Sequence, residues 1–275
     1  MIPVRVDLKN KVCVITGAGG IICSEFARAL AVCGAKVALL DINFNSAKAV
    51  ADDIGKNAIA LHCDCLDKKS IQAAKQSIEK VFGKVNFLIN GAGGNNTRAT
   101  TDNEIMTPEM QSCKDFFQLE EGGIKFVFDL NIMTAFLVTQ VFAADMVQTG
   151  GNIINISSMN AYRPLTKIPA YSAAKAGISN FTQWLSVYFA PCNIRVNAIA
   201  PGFFVTNQNR NLLFDQQGRP TARTEKILAA TPMKRLGKIS DLLGVLLWLA
   251  DDNASGFVTG TVIPVDGGFS AYSGV

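Results

Sequence analysis

The chain has 275 residues, 49% of them hydrophobic and 17% charged, with a formal net charge of +4. That balance supports a sizeable core and excludes a disordered chain. The basic residues are scattered, and the tightest group, Lys234-Arg235 with Lys238, suits a solvated helix end rather than a nucleic-acid surface.

In chain order, a buried strand is expected at 12–15 and a helix at 24–32. A second strand at 36–40 precedes a helix over about 46–54, and a third strand falls at 58–62. Residues 70–82 carry Ile71, Ala74, Ile78 and Val81 at helical spacing. Four further strands fall at 87–89, 152–156, 194–199 and 262–265, the last at a sheet edge. These strands are continuously apolar, which fits burial on both faces. Alternating strands and helices force parallel pairing through crossover helices. The expected fold is therefore α/β, a doubly wound parallel sheet with helices on both faces. No internal repeat or low-complexity linker interrupts it, so one domain over 1–275 is expected.

Seven cysteines at irregular spacing (Cys13, Cys23, Cys33, Cys63, Cys65, Cys113 and Cys192) sit mostly in apolar runs. On a strand, Cys63 and Cys65 would point to opposite faces. With one histidine in the chain, His62, a metal site is short of ligands. Reduced thiols, no metal and a cytoplasmic setting are the expectation. Residues 1–11 carry no long hydrophobic run, so no secretory leader is expected. The apolar stretch 242–250 is about half of what a bilayer crossing needs, so no membrane partner is expected either.

Two segments, about 93–123 and 203–232, break the rhythm. Both leave the carboxyl ends of strands, where open parallel sheets bind ligands, so they are candidate substrate segments.

Thr16 to Cys23 follows strand one and opens a helix. Glycine there lets the backbone approach a pyrophosphate, whose charge meets helix N-terminal amides. Gly17, Gly19, Gly20 and Ile22 are the expected contacts. Asp41 ends strand two, 24 residues after Gly17, where a carboxylate can accept ribose hydroxyls. It would repel a 2′-phosphate, and no lysine or arginine lies in the next six residues, which favours NAD(H) over NADP(H). Asp64 and its neighbour Cys65, after strand three, are candidates to face the adenine; a surface carboxylate is an equal alternative for Asp64.

Tyr171 and Lys175 share one helix face. A phenol has a pKa of about 10, too high for a base near neutrality, and a neighbouring ammonium should lower it. The phenol would then donate a proton to a carbonyl oxygen, or remove one from an alcohol. Ser158, ending strand five, can hold the same oxygen. Asn131, in a helical stretch before strand five, is placed to support the lysine and a proton path. Asn131, Ser158, Tyr171 and Lys175 are the candidate catalytic set.

This ordered set resembles the short-chain dehydrogenase/reductase family over essentially the whole chain. Its TGxxxGxG turn, NNAG-like segment, Asn, Ser, YxxxK and PG motifs correspond here to Thr16–Cys23, Asn90-Gly91-Ala92-Gly93, Asn131, Ser158, Tyr171 with Lys175, and Pro201-Gly202 with Thr206. The resemblance implies a Rossmann-type fold and NAD as cofactor. It implies that Tyr171 and Lys175 border the cofactor, with Lys175 on the nicotinamide ribose. Asn90 and Ala92 would line the site, Thr206 would reach the carboxamide, and Pro201, Gly202 and Phe204 would border it. A tetramer with the tyrosine-bearing helix in an interface is implied as well. Ile21 and Cys23 depart from the pattern where its second and third glycines stand. Cys23 is expected to push the helix from strand one, and Ile21 to weaken NAD binding.

A narrower resemblance, carried by Gly93-Gly94-Asn95, residues 126–131, 158–161, 164–167, 202–206 with 208–210, and the tail 265–275, is to the D-mannonate oxidoreductase (fructuronate reductase) branch. It implies interconversion of D-fructuronate and D-mannonate in hexuronate breakdown; a gluconate 5-dehydrogenase-like activity and a non-catalytic nucleotide-binding regulator are the alternatives. Arg163, Lys167 and Arg210 are candidate partners of a substrate carboxylate, and Asn95, Asn160, Gln208 and Asn209 of its hydroxyls. Ser158 and Tyr171 would also touch the substrate.

Overall fold

The computed structural model describes residues 6–109, 114–206 and 209–274. Seven strands form one sheet: β1 (Val12–Thr16), β2 (Lys36–Asp41), β3 (Ala58–His62), β4 (Phe87–Asn90), β5 (Gly151–Ile156), β6 (Ile194–Pro201) and β7 (Val262–Val265). Their order is β3-β2-β1-β4-β5-β6-β7, and every neighbouring pair is parallel. The chain winds outward from β1 to β3, crosses back over β1, and winds the other way from β4 to β7. The loops after β1 and β4 therefore part company and leave a crevice at the carboxyl edge.

Among the described residues the helices are α1 (Ile21–Val32), α2 (Phe44–Ile54), α3 (Lys68–Phe82), α4 (Glu121–Phe128), α5 (Thr134–Thr149), α6 (Pro169–Phe189), α7 (Arg210–Leu213), α8 (Ala222–Ala230), α9 (Ser240–Ala250) and α10 (Asp252–Ser255). Successive strand residues point to opposite faces, and both faces of β1 are buried. Cys13 and Ile15 pack with Phe26 and Leu30 of α1 and Leu242 and Leu246 of α9. Val12 and Val14 pack with Ile71 and Ile78 of α3, Val138 and Phe142 of α5, and Ile178 and Leu185 of α6.

The starts of α2 and α3 precede the sequence expectation by two residues because polar caps lie upstream of the apolar period, whereas α1 begins three residues early behind Gly20 with no side-chain cap. Asn43 accepts from the Ser46 amide at 3.3 Å ahead of α2, and Asp67 accepts from the Lys69 amide at 2.9 Å ahead of α3. The two segments expected to be irregular hold local helix. In 93–123, short 3-10 turns form at Thr97–Ala99 and Phe116–Gln118, and α4 has begun by Glu121. In 203–232 lie α7 and α8, whose few apolar positions carry little periodic signal. The segments meet through Lys226 and Glu104, 3.1 Å apart.

Between α4 and α5 the helix widens into a π turn, Asp129–Met133, a feature frequent at functional sites. The continuous run Glu121–Thr149 is long and apolar enough to cross a membrane by composition. Here its residues Val138, Phe142 and Met146 are fully covered by the core.

A buried polar network joins the middle of the sheet to the helices beneath it. Asn90 donates to Thr139 at 3.0 Å and to Asn155 at 2.8 Å, and Asn155 donates to Thr182 of α6 at 2.9 Å. Removing one member of such a network strands its partners without water. Asn155→Ala is expected to lower the unfolding free energy by about 2–4 kcal/mol. The midpoint of urea unfolding measures it, and an unchanged midpoint would contradict this account.

Candidate active site

At the crevice between β1 and β4 lies a cleft of about 610 Å³. Its walls come from the β1–α1 turn, the ends of β2 and β3, Gly91–Gly93, one face of α4 through the π turn, and Thr206. The turn is shaped for close approach of a ligand. Gly17 has φ +63°, and a Cβ there would lie 3.0 Å from the Ala92 backbone. A Cβ on Gly19 would lie 2.6 Å from Ser46. The helix α1 opens without a side-chain cap and with no acidic residue in its first turn, leaving its positive end for an anion. Gly20, Ile21 and Ile22 all border the cleft.

Asp41 stands at the end of β2, also on the cleft. One carboxylate oxygen accepts from the Gly19 amide at 2.9 Å and the other from the Asn43 amide at 2.8 Å. These bonds fix its direction and leave lone pairs for hydroxyl donors. Asp64 and Cys65 border the cleft as expected. The expectation that Cys63 and Cys65 diverge is not met. β3 has ended at His62, and both residues border the cleft and pack in the same core cluster. His62 is exposed at that strand end.

The Cys23 side chain packs against the segment that leaves β4. A Cβ on Gly91 would lie 2.2 Å from the Cys23 sulfur and 2.7 Å from the Thr16 carbonyl oxygen. The thiol thus occupies the space that any side chain at 91 would need. Thr16 fixes the same segment, its hydroxyl accepting from the Gly91 amide at 3.0 Å and the Ala92 amide at 3.1 Å.

Six expected cofactor contacts, Asn90, Tyr171, Lys175, Pro201, Gly202 and Phe204, are not among the residues that line the cleft. Asn90 is 6% exposed and its amide is spent in the polar network, so Gly91–Gly93 form the wall instead. Phe204 is 3% exposed and packs against Gly237, where a Cβ would lie 2.3 Å from its ring. It is a packing residue. Pro201 pairs with Val265 at the end of β6, and a Cβ on Gly202 would lie 2.6 Å from Asp266, so both shape the chain that brings Thr206 to the cleft.

Tyr171 and Lys175 lie on α6, near its amino end, against the carboxyl edge of β5. The Ser158 side chain acts to lower the pKa of the Tyr171 phenol. Ser158 also caps the turn Met159–Ala161, accepting from the Asn160 amide at 3.2 Å. Lys175 is 4% exposed and donates from Nζ to the Ile156 carbonyl at 2.8 Å, with Nζ 5.7 Å from the Tyr171 ring centre. Burial lowers its pKa to about 8, opposed by the nearby Cys23 sulfur. Burial pushes the Tyr171 phenol up, and the Ser158 side chain only partly offsets this. The expected lowering of the phenol by Lys175 is therefore not met, because burial outweighs every other influence on it. The phenol rests protonated, the state in which it can donate.

Asn131 is 1% exposed inside the π turn. Its amide donates to the Gly94 carbonyl at 2.7 Å and the Val127 carbonyl at 2.8 Å, and its oxygen accepts from the Gly94 amide at 3.2 Å. A Cβ on Gly93 would lie 2.8 Å from that oxygen and 3.1 Å from the Lys175 ammonium. Asn131 is thus near the lysine as expected, but its own bonds hold the segment Gly93–Gly94.

The expected substrate contacts are less converged, and none of those described forms a wall of the cleft. Asn95 donates to Thr100 at 3.0 Å. Arg163 donates to the Tyr272 carbonyl of the tail. Lys167 has φ +72°, its carbonyl accepting from the Thr101 amide at 2.9 Å. Arg210 opens α7, and Asn209 is spent on Thr206 and Phe204. Asn160 is 4% exposed and its side-chain oxygen has no hydrogen-bond partner among the described residues. Gln208 lies outside the described residues. Phe126, Leu130 and Thr134 line the cleft and were not singled out, although their i, i+4 spacing marks one helical face.

A family model described as enoyl-(acyl carrier protein) reductase matches residues 17–270. An uncharacterized oxidoreductase from Haemophilus influenzae is 57% identical over 274 residues, covering 98% of this chain and 96% of its own length. The uncharacterized oxidoreductase UxuB of Bacillus subtilis is 52% identical over 279 residues, with 100% of both chains covered. A solved Haemophilus structure with bound NAD, provisionally assigned as a D-mannonate oxidoreductase, superposes with a TM-score of 0.95 at 55% identity over 100% of both chains.

The Cys23–Gly91 contact is testable by a double-mutant cycle. Gly91→Ala alone is expected to cost about 2–3 kcal/mol of stability through overpacking. In a Cys23→Ala background the cost should shrink by about 1 kcal/mol or more without vanishing, since the Thr16 carbonyl still crowds the new methyl. Additive urea-unfolding energies would refute the contact.

Proposed function

The chain belongs to the short-chain dehydrogenase/reductase family, and we propose that it is an NAD(H)-dependent oxidoreductase interconverting a keto sugar acid and its alcohol, D-fructuronate and D-mannonate. The observation that carries the reading is Tyr171 and Lys175 on one face of α6, with the lysine buried, its Nζ 5.7 Å from the Tyr171 ring centre and anchored at the carboxyl edge of the sheet on the Ile156 carbonyl. NAD in the solved relative supports the cofactor, and that relative's assignment supports the sugar acid.

The residues present fit the cofactor. Gly17, Gly19 and Gly20 with the uncapped start of α1 would hold the pyrophosphate, and Asp41 the adenosine ribose. Asp41 would repel a 2′-phosphate, which favours NAD(H). Asp64 and Cys65 would border the adenine, and Ala92, Lys175 and Thr206 the nicotinamide half. When bound, the nicotinamide supplies or accepts the hydride.

The chain's own groups move the proton and orient the substrate. Tyr171 donates to the carbonyl oxygen, and Ser158 holds that oxygen by a second hydrogen bond. Lys175 presents an ammonium at the same edge, anchored on Ile156. Asn131 keeps Gly93–Gly94 clear of both. Asn160, with an unpaired side-chain oxygen one residue beyond Met159, is suited to accept from a sugar hydroxyl. Lys167 and Arg210 are the better carboxylate partners, since Arg163 already serves the tail carbonyl. The segments 93–123 and 203–232 would close over the substrate as parts of a single catalytic domain. We take the enzyme to be a cytoplasmic homotetramer; exposed Trp184, Val187 and Tyr188 on α6 support an interface there.

A spectrophotometric panel with NADH tests the reading. Fructuronate should give the highest kcat/KM among fructuronate, tagaturonate, 5-ketogluconate and simple ketoses. Preference for 5-ketogluconate would move the assignment to a gluconate 5-dehydrogenase-like enzyme, and preference for NADPH would overturn the role of Asp41. Tyr171→Phe should keep cofactor affinity and lower kcat by about 10²–10⁴-fold. Unreduced turnover in that variant would refute the proton transfer, and NADH binding with no turnover in the unmutated protein would indicate a regulator.

The depressed Lys175 pKa sets a pH dependence. The ammonium is present below about pH 8 and is lost above it. The kcat/KM for carbonyl reduction should fall as pH rises through that value. Lys175→Arg, whose guanidinium stays charged, should lack the inflection at any residual rate. A profile that stays level to about pH 9.5 would contradict the assignment, since a group with a pKa of about 8 is by then almost wholly deprotonated whereas an ordinary lysine, near 10.4, is still charged.

A further inference from the structure

Residues at the carboxyl end of β5 grip α6 in several ways. The Ile156 carbonyl accepts from Lys175 Nζ at 2.8 Å. The Ser157 hydroxyl donates to the Lys175 main-chain carbonyl at 3.1 Å and lies 2.7 Å from the Ser179 hydroxyl. Asn155 donates to Thr182 at 2.9 Å, one turn beyond Ser179. Tyr171, Lys175 and Ser179 fall at successive i, i+4 positions of the helix. One face of α6 therefore carries the proton donor, the ammonium and the hydroxyl partner of Ser157.

A serine hydroxyl has a single hydrogen to give. Ser157 spends its own on the Lys175 carbonyl, so Ser179 is the donor in the bond between the two serines. The run from Ser179 through Ser157 to that carbonyl is a chain in which each bond polarises the next. Ser157 is 2% exposed, so bulk water does not compete for it. Its backbone is tied to the sheet, the amide donating to the Ile199 carbonyl of β6 at 2.8 Å. The hydroxyl is thus a fixed post on the sheet against which a helix carbonyl rests. Lys175 is held at both ends, its side chain on Ile156 and its main chain on Ser157.

We propose that Ser157 is a positioning residue for proton transfer: its hydroxyl, seconded by Ser179, fixes α6 at Lys175 and so aligns Tyr171 and Lys175 with Ser158. It acts through Lys175, because its one hydrogen goes to the main chain and its side chain is covered. Without that hydroxyl only the flexible lysine side chain anchors this turn of α6 to the end of β5. The helix can then shift slightly, and a small misplacement of reacting groups slows a transfer without weakening binding to match. The effect on rate rests on reading Tyr171 as the proton donor.

The test compares the unmutated chain with Ser157→Ala, Ser179→Ala and the double variant. It reads the single-turnover rate of NADH oxidation with fructuronate, the KM for fructuronate and the NADH affinity. Ser157→Ala is expected to slow the single turnover by about tenfold, with KM and NADH affinity held within about twofold. Ser179→Ala should cost about threefold, and the double variant no more than Ser157→Ala, since Ser179 acts only through Ser157. An unchanged rate in Ser157→Ala would overturn the proposal. Losses that multiply in the double variant would overturn it too, as would an equal loss of NADH affinity, the mark of a loosened site rather than a misaligned one. Should Ser157→Ala not fold, the half-buried Ser179→Ala decides from the other end, and an unchanged rate there counts against the proposal. If the unmutated chain turns over no substrate, the proton-transfer reading fails, and amide hydrogen exchange decides the positioning alone. Ser157→Ala should then speed exchange over 176–182 by about tenfold and leave α5 unchanged, whereas equal exchange in the two proteins would overturn it.

Discussion

The segment that leaves β4 crosses the floor of the cleft through a gap with almost no room for side chains. At Gly91 the Cys23 sulfur and the Thr16 carbonyl close in, and at Gly93 the Asn131 oxygen and the Lys175 ammonium do so. This tight passage brings the start of α1, the π turn and the Lys175 side chain of α6 up against one short stretch of backbone. Thr16 holds the amides of Gly91 and Ala92 from one side, and Asn131 brackets Gly94 from the other. Rigid backbone bonds thus do the positioning, which suits a site that must hold reacting groups in a fixed relation.

Seen from that passage, the departures from the family pattern at residues 21 and 23 have different consequences. Cys23 turns inward and is matched by a glycine at 91, so the two positions behave as one packing unit. Ile21 stays on the cleft wall, where it adds apolar surface beside the helix start. The pairing of β1 with β2 and β4 is unbroken beside both positions.

The strands were legible because each is a short apolar run buried on both faces, and Tyr171, Lys175 and Ser158 because their spacing and strand-end position carry chemistry. Asp41 was legible for the same reason. What could not be read depended on contacts distant in sequence. Nothing near Asn90 reveals that its amide points to Thr139 and Asn155, and nothing near Phe204 reveals Gly237. The helices α7 and α8 escaped because their stability comes from caps and loop contacts, such as Thr221 donating to the Leu212 carbonyl at 2.8 Å, rather than from a long apolar face. Cys63 and Cys65 were read as diverging because a strand was assumed to continue, and β3 stops one residue before the first of them. A period of two misleads wherever a turn begins.

Burial acts on Tyr171 and Lys175 in opposite senses, and the result favours one direction of proton flow. An interior site disfavours charge on either group, raising the phenol and lowering the lysine, so the neutral phenol is the resting form. Near neutrality Lys175 still carries its charge, stabilised by the Ile156 carbonyl. A protonated phenol can deliver its proton to a carbonyl without prior ionisation, whereas removing a proton from an alcohol first requires the phenolate. The ammonium then matters most after transfer, when the phenolate left behind needs an opposite charge close by. Its influence on the phenol is therefore larger in the reacting state than in the resting one, which is the condition for an interaction to accelerate a reaction rather than merely tighten binding.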